Sequence, residues 1–310
     1  MTQQTQEGQP LKIGPILILV ALALTWGSNM AVIKIGGREL PPLFMAGLRS
    51  LLAAACLFGW MTFRKTPPFP AARLTWMGAA AGALFACEFA LIYIGLQYTL
   101  ASRSHLLVYT APFFAAIGAH LFLQGDRIHL FKGVGLVLAF AGVALLFPLK
   151  DFTFASSRLP GDLMALAGGI MWGFTTVYIK RYLAGRSRPQ QSLFLQLFFS
   201  APLLMAASLL TGEHWVLPAT PGGIFSLFYQ SVIIAFVSYT IWFELVERFP
   251  VSLLHAFSFL TPVFGVFWGG MFLLGEEVNW RMYAALGLVC AGLFFVNRHA
   301  RPVKERKPAA

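Results

Sequence analysis

The sequence predicts an all-α integral membrane protein: ten transmembrane helices arranged as two inverted five-helix repeats. Three observations predict it. The 310 residues are 58% hydrophobic and only 11% charged, with a mean hydropathy of +0.71. Ten apolar runs of membrane-crossing length are separated by short turns. The second half of the chain also repeats polar landmarks of the first at a fixed offset of 150 residues.

The composition excludes a water-soluble domain, which carries roughly 25% charged residues. A net charge of +11 invites a nucleic-acid partner. Lys and Arg, however, fall between and after the apolar runs, as loops facing anionic lipid headgroups do, so membrane lipids are the expected partner and nucleic acid is not. Cys56, Cys87 and Cys290 lie inside apolar runs without metal-ligand spacing, and no metal or cofactor is expected. The N-terminus lacks a strongly basic segment and an A-x-A cleavage site, so the first apolar run is read as a retained helix.

A helix crossing the hydrocarbon needs about 20 apolar residues. Runs of that kind occupy 13–33, 41–63, 74–96, 101–123, 130–148, 160–180, 190–211, 222–245, 251–273 and 280–297. Between them stand turn-formers such as "TPPFP" (Thr66 to Pro70) and "PATPGG" (Pro218 to Gly223). The first repeat is placed at 13–148, the second at 160–297, and a basic cytoplasmic tail at 298–310. Of the 23 Lys and Arg, 16 fall on one set of alternate loops and the two termini, and 6 on the other set. This asymmetry predicts that both termini are cytoplasmic.

The repeat itself is read from "ASRSHLLVYTAPFFAAIGAHLFLQGDRI" (Ala101 to Ile128) against "VSLLHAFSFLTPVFGVFWGGMFLLGEEV" (Val251 to Val278). Ser102 meets Ser252, His105 meets His255, Pro112 meets Pro262, and Asp126 meets Glu276. Apolar letters coincide easily in such sequence; these do not. A shorter echo joins "LTWGSNMAVIK" (Leu24 to Lys34) to "IMWGFTTVYIK" (Ile170 to Lys180). Five spans per copy is an odd number, so the second copy enters the membrane from the opposite side. Inverted halves of this kind flank a central site and open it to either face.

Polar residues inside the spans are the informative letters, because each is costly unless it faces protein or water. Glu88 stands near the middle of its run, either as a cavity carboxylate for an ammonium or a proton, or as a structural tie between helices. His105, Tyr109 and Pro112 share one helix face by their spacing, and His255, Phe259 and Pro262 repeat it with Ser258 alongside. Tyr109 is expected to line the cavity, and the histidines either to line it or to bond nearby carbonyls. Trp172 with Thr175 and Thr176 could face an apolar substrate, whereas Trp26 is expected to pack. Asn29 could bond a substrate carboxylate or brace two helices. Tyr239 and Trp242 are further lining candidates. Arg49, within snorkelling reach of the interface, could attract a substrate carboxylate, but a structural anchor is the preferred reading.

The Trp-Gly phrases, "LQYTLASRSHLLVYTAPFF" (Leu96 to Phe114) and the closing "FLQGD" (Phe122 to Asp126) and "FLLGEE" (Phe272 to Glu277) together resemble the EamA repeat of the drug/metabolite transporter superfamily. The likeness runs from about Ile13 to Asn297. Within that superfamily the chain is most similar to amino-acid exporters of the YddG type. The first copy departs from the usual Gly-Glu ending with Gly-Asp, which keeps the acid. The resemblance implies a secondary transporter in a bacterial inner membrane, exporting small amphipathic metabolites by alternating access; a monomer is expected. Amino acids, including aromatic ones, are the expected cargo.

Other functions fit less well. Exchange of sugar nucleotides or phosphorylated metabolites, the alternative on the same fold, favours paired Lys or Arg at mid-membrane, and no such pair is present. No G-x-x-x-x-G-K-[ST] pattern provides for nucleotide. Neither H-E-x-x-H nor G-x-S-x-G occurs, so an enzyme is not expected. The polar letters are too sparse for the continuous path of a channel.

Overall fold

The computed structural model describes residues 11–147, 156–268 and 280–298. Glu276, Glu277, the side chain of Ser102 and the basic tail beyond Arg298 lie outside the described residues. The first half comprises α1 (Ile13–Gly36), α2 (Pro42–Phe63), α3 (Ala72–Gly95), α4 (Ala101–Val108), α5 (Ala111–Phe122) and α6 (Leu130–Leu145). The second comprises α7 (Leu159–Tyr182), α8 (Pro189–Leu210), α9 (Pro221–Phe228), α10 (Tyr239–Arg248), α11 (Val251–Phe257), α12 (Leu260–Val266) and α13 (Trp280–Arg298). Among the described residues, eight stretches are long and apolar enough to cross a membrane, with α4–α5 and α9–α10 each contributing one. The shorter apolar stretches Leu130–Leu145 and Val251–Val266 complete ten.

Two spans expected to be continuous are broken, and at equivalent places. The fourth pauses at Tyr109 and Thr110, the ninth at Ser258 and Phe259. Each break has the same cause. A proline lacks the N–H that would reach the carbonyl four residues earlier. Pro112 denies it to Val108 and Pro262 to Ser258, the residues at which the two helices falter. A third irregularity has no signal in the apolar pattern: Tyr229–Ser238, between α9 and α10, is a π-helical run.

Helix pairing respects the exchange of halves. α1 packs on α12, as α7 packs on α5; α2 meets the π-helical run, as α8 meets α3; α6 pairs with α13, its own counterpart. The Trp-Gly phrase makes the first of these contacts possible. A methyl group added at Gly27 would lie 2.8 Å from the Gly265 nitrogen and 2.9 Å from the Thr261 oxygen. One at Gly173 would lie 2.7 Å from the Ala115 nitrogen and 2.8 Å from the Ala111 oxygen. Residues 111 and 115 are the counterparts of 261 and 265, so each repeat's glycine seats against the other repeat's proline-broken helix.

Helix starts are capped across the halves as well. The Glu213 carboxylate accepts hydrogen bonds from the Leu43 and Phe44 amides at 3.1 and 2.8 Å, at the start of α2. Glu39, in the α1–α2 turn, accepts from the Ala219 and Thr220 amides and from the Thr220 hydroxyl before α9. Both acids occupy positions where a helix leaves its first N–H groups unpaired. The three donors hold the Glu39 carboxyl below its usual range.

Candidate substrate cavity

A cavity of about 590 Å³ lies between the halves. Its lining extends from Lys34 and Leu96, near the ends of α1 and α3, to Ile179 and Phe243. α1, α2, α3 and α4 present their polar letters to it, and α7, the π-helical run, α8, α10 and α12 form the rest of the wall. Arg49 is seven residues after Pro42, and Glu88 is seven residues before Gly95. At 1.5 Å per residue both lie about 10 Å from the same face of the bundle.

Much of the wall is aromatic, and the rings hold one another edge to face. Trp26 stands 5.2 Å from Trp242 and 6.2 Å from Tyr239, centroid to centroid. Its indole Nε1 donates to the Ser238 hydroxyl at 2.9 Å, where the π-helical run ends. Ser28, two residues on, is hydrogen-bonded to the Tyr229 hydroxyl at 2.7 Å, where that run begins. Across the cavity Trp172 is set against Tyr109 at 6.0 Å. Phe85 and Phe89, one turn apart on α3, complete the wall at 4.6 Å from each other.

Set into this wall are buried polar atoms without a hydrogen-bond partner: Asn29 Oδ1, Arg49 Nε and Nη2, Glu88 Oε2, Thr175 Oγ1 and Gln196 Oε1. Arg49 is 1% exposed and Glu88 5%. Unpaired buried groups, charged ones above all, are costly and rare in a structure selected only for stability. Here they converge on one space.

Of the lining candidates singled out from sequence, Asn29, Glu88, His105, Tyr109, Trp172, Thr175, Thr176, Tyr239 and Trp242 line this cavity. His255 and Ser258 do not. His255 is fully buried behind the wall, its Nε2 hydrogen-bonded to Thr176 Oγ1 at 2.9 Å and its ring packed on Trp172 and Trp242. Ser258 donates to the His255 carbonyl at 2.7 Å, satisfying the backbone where the ninth span breaks. The two equivalent faces therefore differ: one fronts the cavity and the other is core. Trp26, expected to pack, borders the cavity as well. Arg49 is not a snorkelling anchor. Its guanidinium lies 4.4 Å from the Phe89 ring centre and 6.0 Å from that of Phe85. Gln196, Ser104 and Thr261 were not singled out; in apolar runs a single amide or hydroxyl carries little signal of which way it faces.

On the opposite face of the bundle the halves are joined by a buried polar clasp. Lys132 Nζ donates to Asp126 Oδ1 and to Ser252 Oγ, each at 2.8 Å. The Ser252 amide donates to Asp126 Oδ2 at 2.9 Å, and its hydroxyl to Oδ1. Asp126, the acid that closes the first repeat, thus binds the first half to the start of α11.

Sequence comparison matches residues 13–147 and 159–298 to the family described as EamA-like transporter family. A probable amino-acid metabolite efflux pump of Escherichia coli (strain K12) is 29% identical over 293 residues, covering 91% of this chain and 94% of that protein. An uncharacterized transporter of Bacillus subtilis (strain 168), YoaV, is 22% identical over 286 residues, covering 90% and 95%. A protein of known crystal structure with 18% identity has a TM-score of 0.79 to this chain, covering 93% of it and 98% of that chain; the likeness shows the fold.

Proposed function

We propose that this chain, which belongs to the EamA-like transporter family in both of its halves, exports amino acids, aromatic ones among them, from a bacterial cell by alternating access. Family membership makes it a multi-pass membrane transporter of small molecules; the cargo, the direction and the residues that hold the cargo are our reading. One observation carries it. A single aromatic-walled cavity presents a cation, Arg49, and a carboxylate, Glu88, neither of them in an ion pair with the other. A zwitterion bearing an apolar side chain offers a partner to each charge and to the aromatic wall.

The volume of about 590 Å³ falls within the roughly 300–1,000 Å³ of ordinary ligand pockets. The name of the Escherichia coli relative, a probable amino-acid metabolite efflux pump, agrees with an amino-acid cargo. A phosphate dianion fits less well, because Glu88 would oppose it. We place both termini on the cytoplasmic side of the inner membrane, following the Lys and Arg asymmetry, and take the functional unit to be a monomer.

The test is counterflow in proteoliposomes preloaded with unlabelled amino acids, using a panel of labelled ones outside. Entry of phenylalanine, tryptophan or leucine well above protein-free liposomes is the expected result. No exchange of any amino acid would sink the reading. Topology is checked separately with a cysteine at Ala309, which should resist an impermeant reagent on intact cells.

A further inference from the structure

We infer that Arg49 is the carboxylate receptor of the cavity and that its stacking on Phe89 makes a free carboxylate, rather than a free amine, the group the site demands. This rests on the amino-acid reading above and deepens it. The protein contains an internal standard for the geometry. Arg103 Nε donates to Asp162 Oδ1 at 3.0 Å, and Arg103 Nη2 pairs with Oδ2, so one edge of a guanidinium takes both oxygens of one carboxylate. The same two atoms of Arg49, Nε and Nη2, are buried and have no hydrogen-bond partner. Two planar N–H groups on one edge match a carboxylate and match neither an ammonium nor a lone hydroxyl.

The surroundings fix that edge in place. With Cζ 4.4 Å from the Phe89 ring centre, the guanidinium is held against an aromatic ring, a contact that attracts the cation without using any of its N–H groups. Phe85 supports Phe89 from one turn away. The fork is thereby oriented before cargo arrives, so little side-chain entropy is lost when a carboxylate docks. The ammonium end is provided for differently. Asn29 Oδ1, Glu88 Oε2 and Gln196 Oε1 are unpartnered acceptors on three separate helices. Acceptors of that kind receive an ammonium in several orientations, whereas the fork accepts one planar group in one.

The experiment titrates four ligands into the purified full-length protein, following fluorescence of Trp26, Trp172 and Trp242, which border the cavity. The ligands are phenylalanine, 3-phenylpropionate, phenethylamine and phenylalanine methyl ester. In the wild type, phenylalanine and 3-phenylpropionate should bind, and the methyl ester about tenfold or more weaker than phenylalanine, the loss expected for charge-assisted hydrogen bonds. Arg49→Gln should weaken phenylalanine and 3-phenylpropionate by a similar factor and leave phenethylamine where it was. Arg49→Lys, which keeps the charge and loses the fork, should fall between. A methyl ester that binds as tightly as phenylalanine overturns the proposal while leaving the amino-acid reading intact. So does an Arg49→Gln protein weakened equally for all ligands. If that variant does not fold, the wild-type ligand series decides alone. Failure of the wild type to bind any of the four overturns the amino-acid reading, and the proposal with it.

Discussion

Replacing Gly27 or Gly173 with alanine tests whether the repeated Trp-Gly phrase exists to let the halves touch. At Gly27 the new methyl meets the Gly265 nitrogen and Phe264 Cβ, both at 2.8 Å; at Gly173 it meets the Ala115 nitrogen at 2.7 Å. Ordinary contact begins near 3.4 Å, so the helices must part by about 0.6–0.7 Å. Most of these atoms are backbone and cannot rotate aside. Overpacking of this kind costs about 1–3 kcal/mol. Alanine's better helix propensity offsets about 0.5–1 kcal/mol of it. The net expectation is a loss of about 1–2 kcal/mol at each site. Gly59 supplies the control: it is helical, and an added methyl there meets nothing within 4 Å, so Gly59→Ala should be neutral or slightly stabilising. The assay is thermal unfolding of the detergent-solubilised variants side by side. Gly27→Ala or Gly173→Ala proteins as stable as Gly59→Ala would refute the reasoning. So would a large loss at only one of them, because the two sites have equivalent neighbours.

Trp172→Ala should raise the half-saturation concentration for aromatic amino acids in counterflow by about tenfold while lowering stability less than Phe259→Ala, a fully buried ring whose loss should cost about 3–5 kcal/mol; equal destabilisation would mark Trp172 as packing. Lys132→Met leaves the Asp126 carboxylate buried with Ser252 but without its cation, at an expected cost of about 3–5 kcal/mol. A double variant with Asp126→Asn should recover part of that cost, and strict additivity in the four-protein cycle would exclude coupling. Glu39 has its pKa lowered by the Thr220 hydroxyl and the Ala219 and Thr220 amides. Its contribution is therefore present above the ordinary carboxylate value of 4.5 and lost as pH falls through the lower folded value. The gap in unfolding temperature between wild type and Glu39→Gln should be constant near neutrality and close below that value; a gap that widens on acidification would contradict it.

The ten spans, the inversion and much of the cavity wall were legible because each follows from local spacing. Polar letters in apolar runs have few tolerable places to go, and the repeat doubled the signal for the Trp-Gly phrase. For Arg49 the anchor was preferred over a cavity role because its distance along α2 is compatible with snorkelling. Only the long-range approach of Phe85 and Phe89 shows that it turns inward. His255 and Ser258 show a different limit. Sequence symmetry treats the two proline-broken faces alike, but inverted repeats in any one conformation are not equivalent, so one face lines the cavity while the other is core. The π-helical run was invisible for a simpler reason: a change from four-residue to five-residue hydrogen-bond spacing leaves an unbroken apolar run unbroken.

Arg49 and Glu88 have one more consequence when the membrane carries a voltage. A potential of 100 mV does about 2.3 kcal/mol of work on each elementary charge that crosses it. An arginine alone in the cavity would move with the surrounding protein as the halves rock, and the field would favour one conformation over the other. With Glu88 ionised at a similar depth, the two contributions cancel. A zwitterion adds nothing to the sum, and the Asp126–Lys132 pair on the far face is likewise neutral. For as long as Glu88 is ionised, the Arg49–Glu88 pair gives the field no net charge to act on, with a zwitterion bound or without. This pair then adds no voltage dependence to the movement of a neutral amino acid, whereas a cargo with a charged side chain, or a proton taken up by Glu88, would make its step sensitive to voltage.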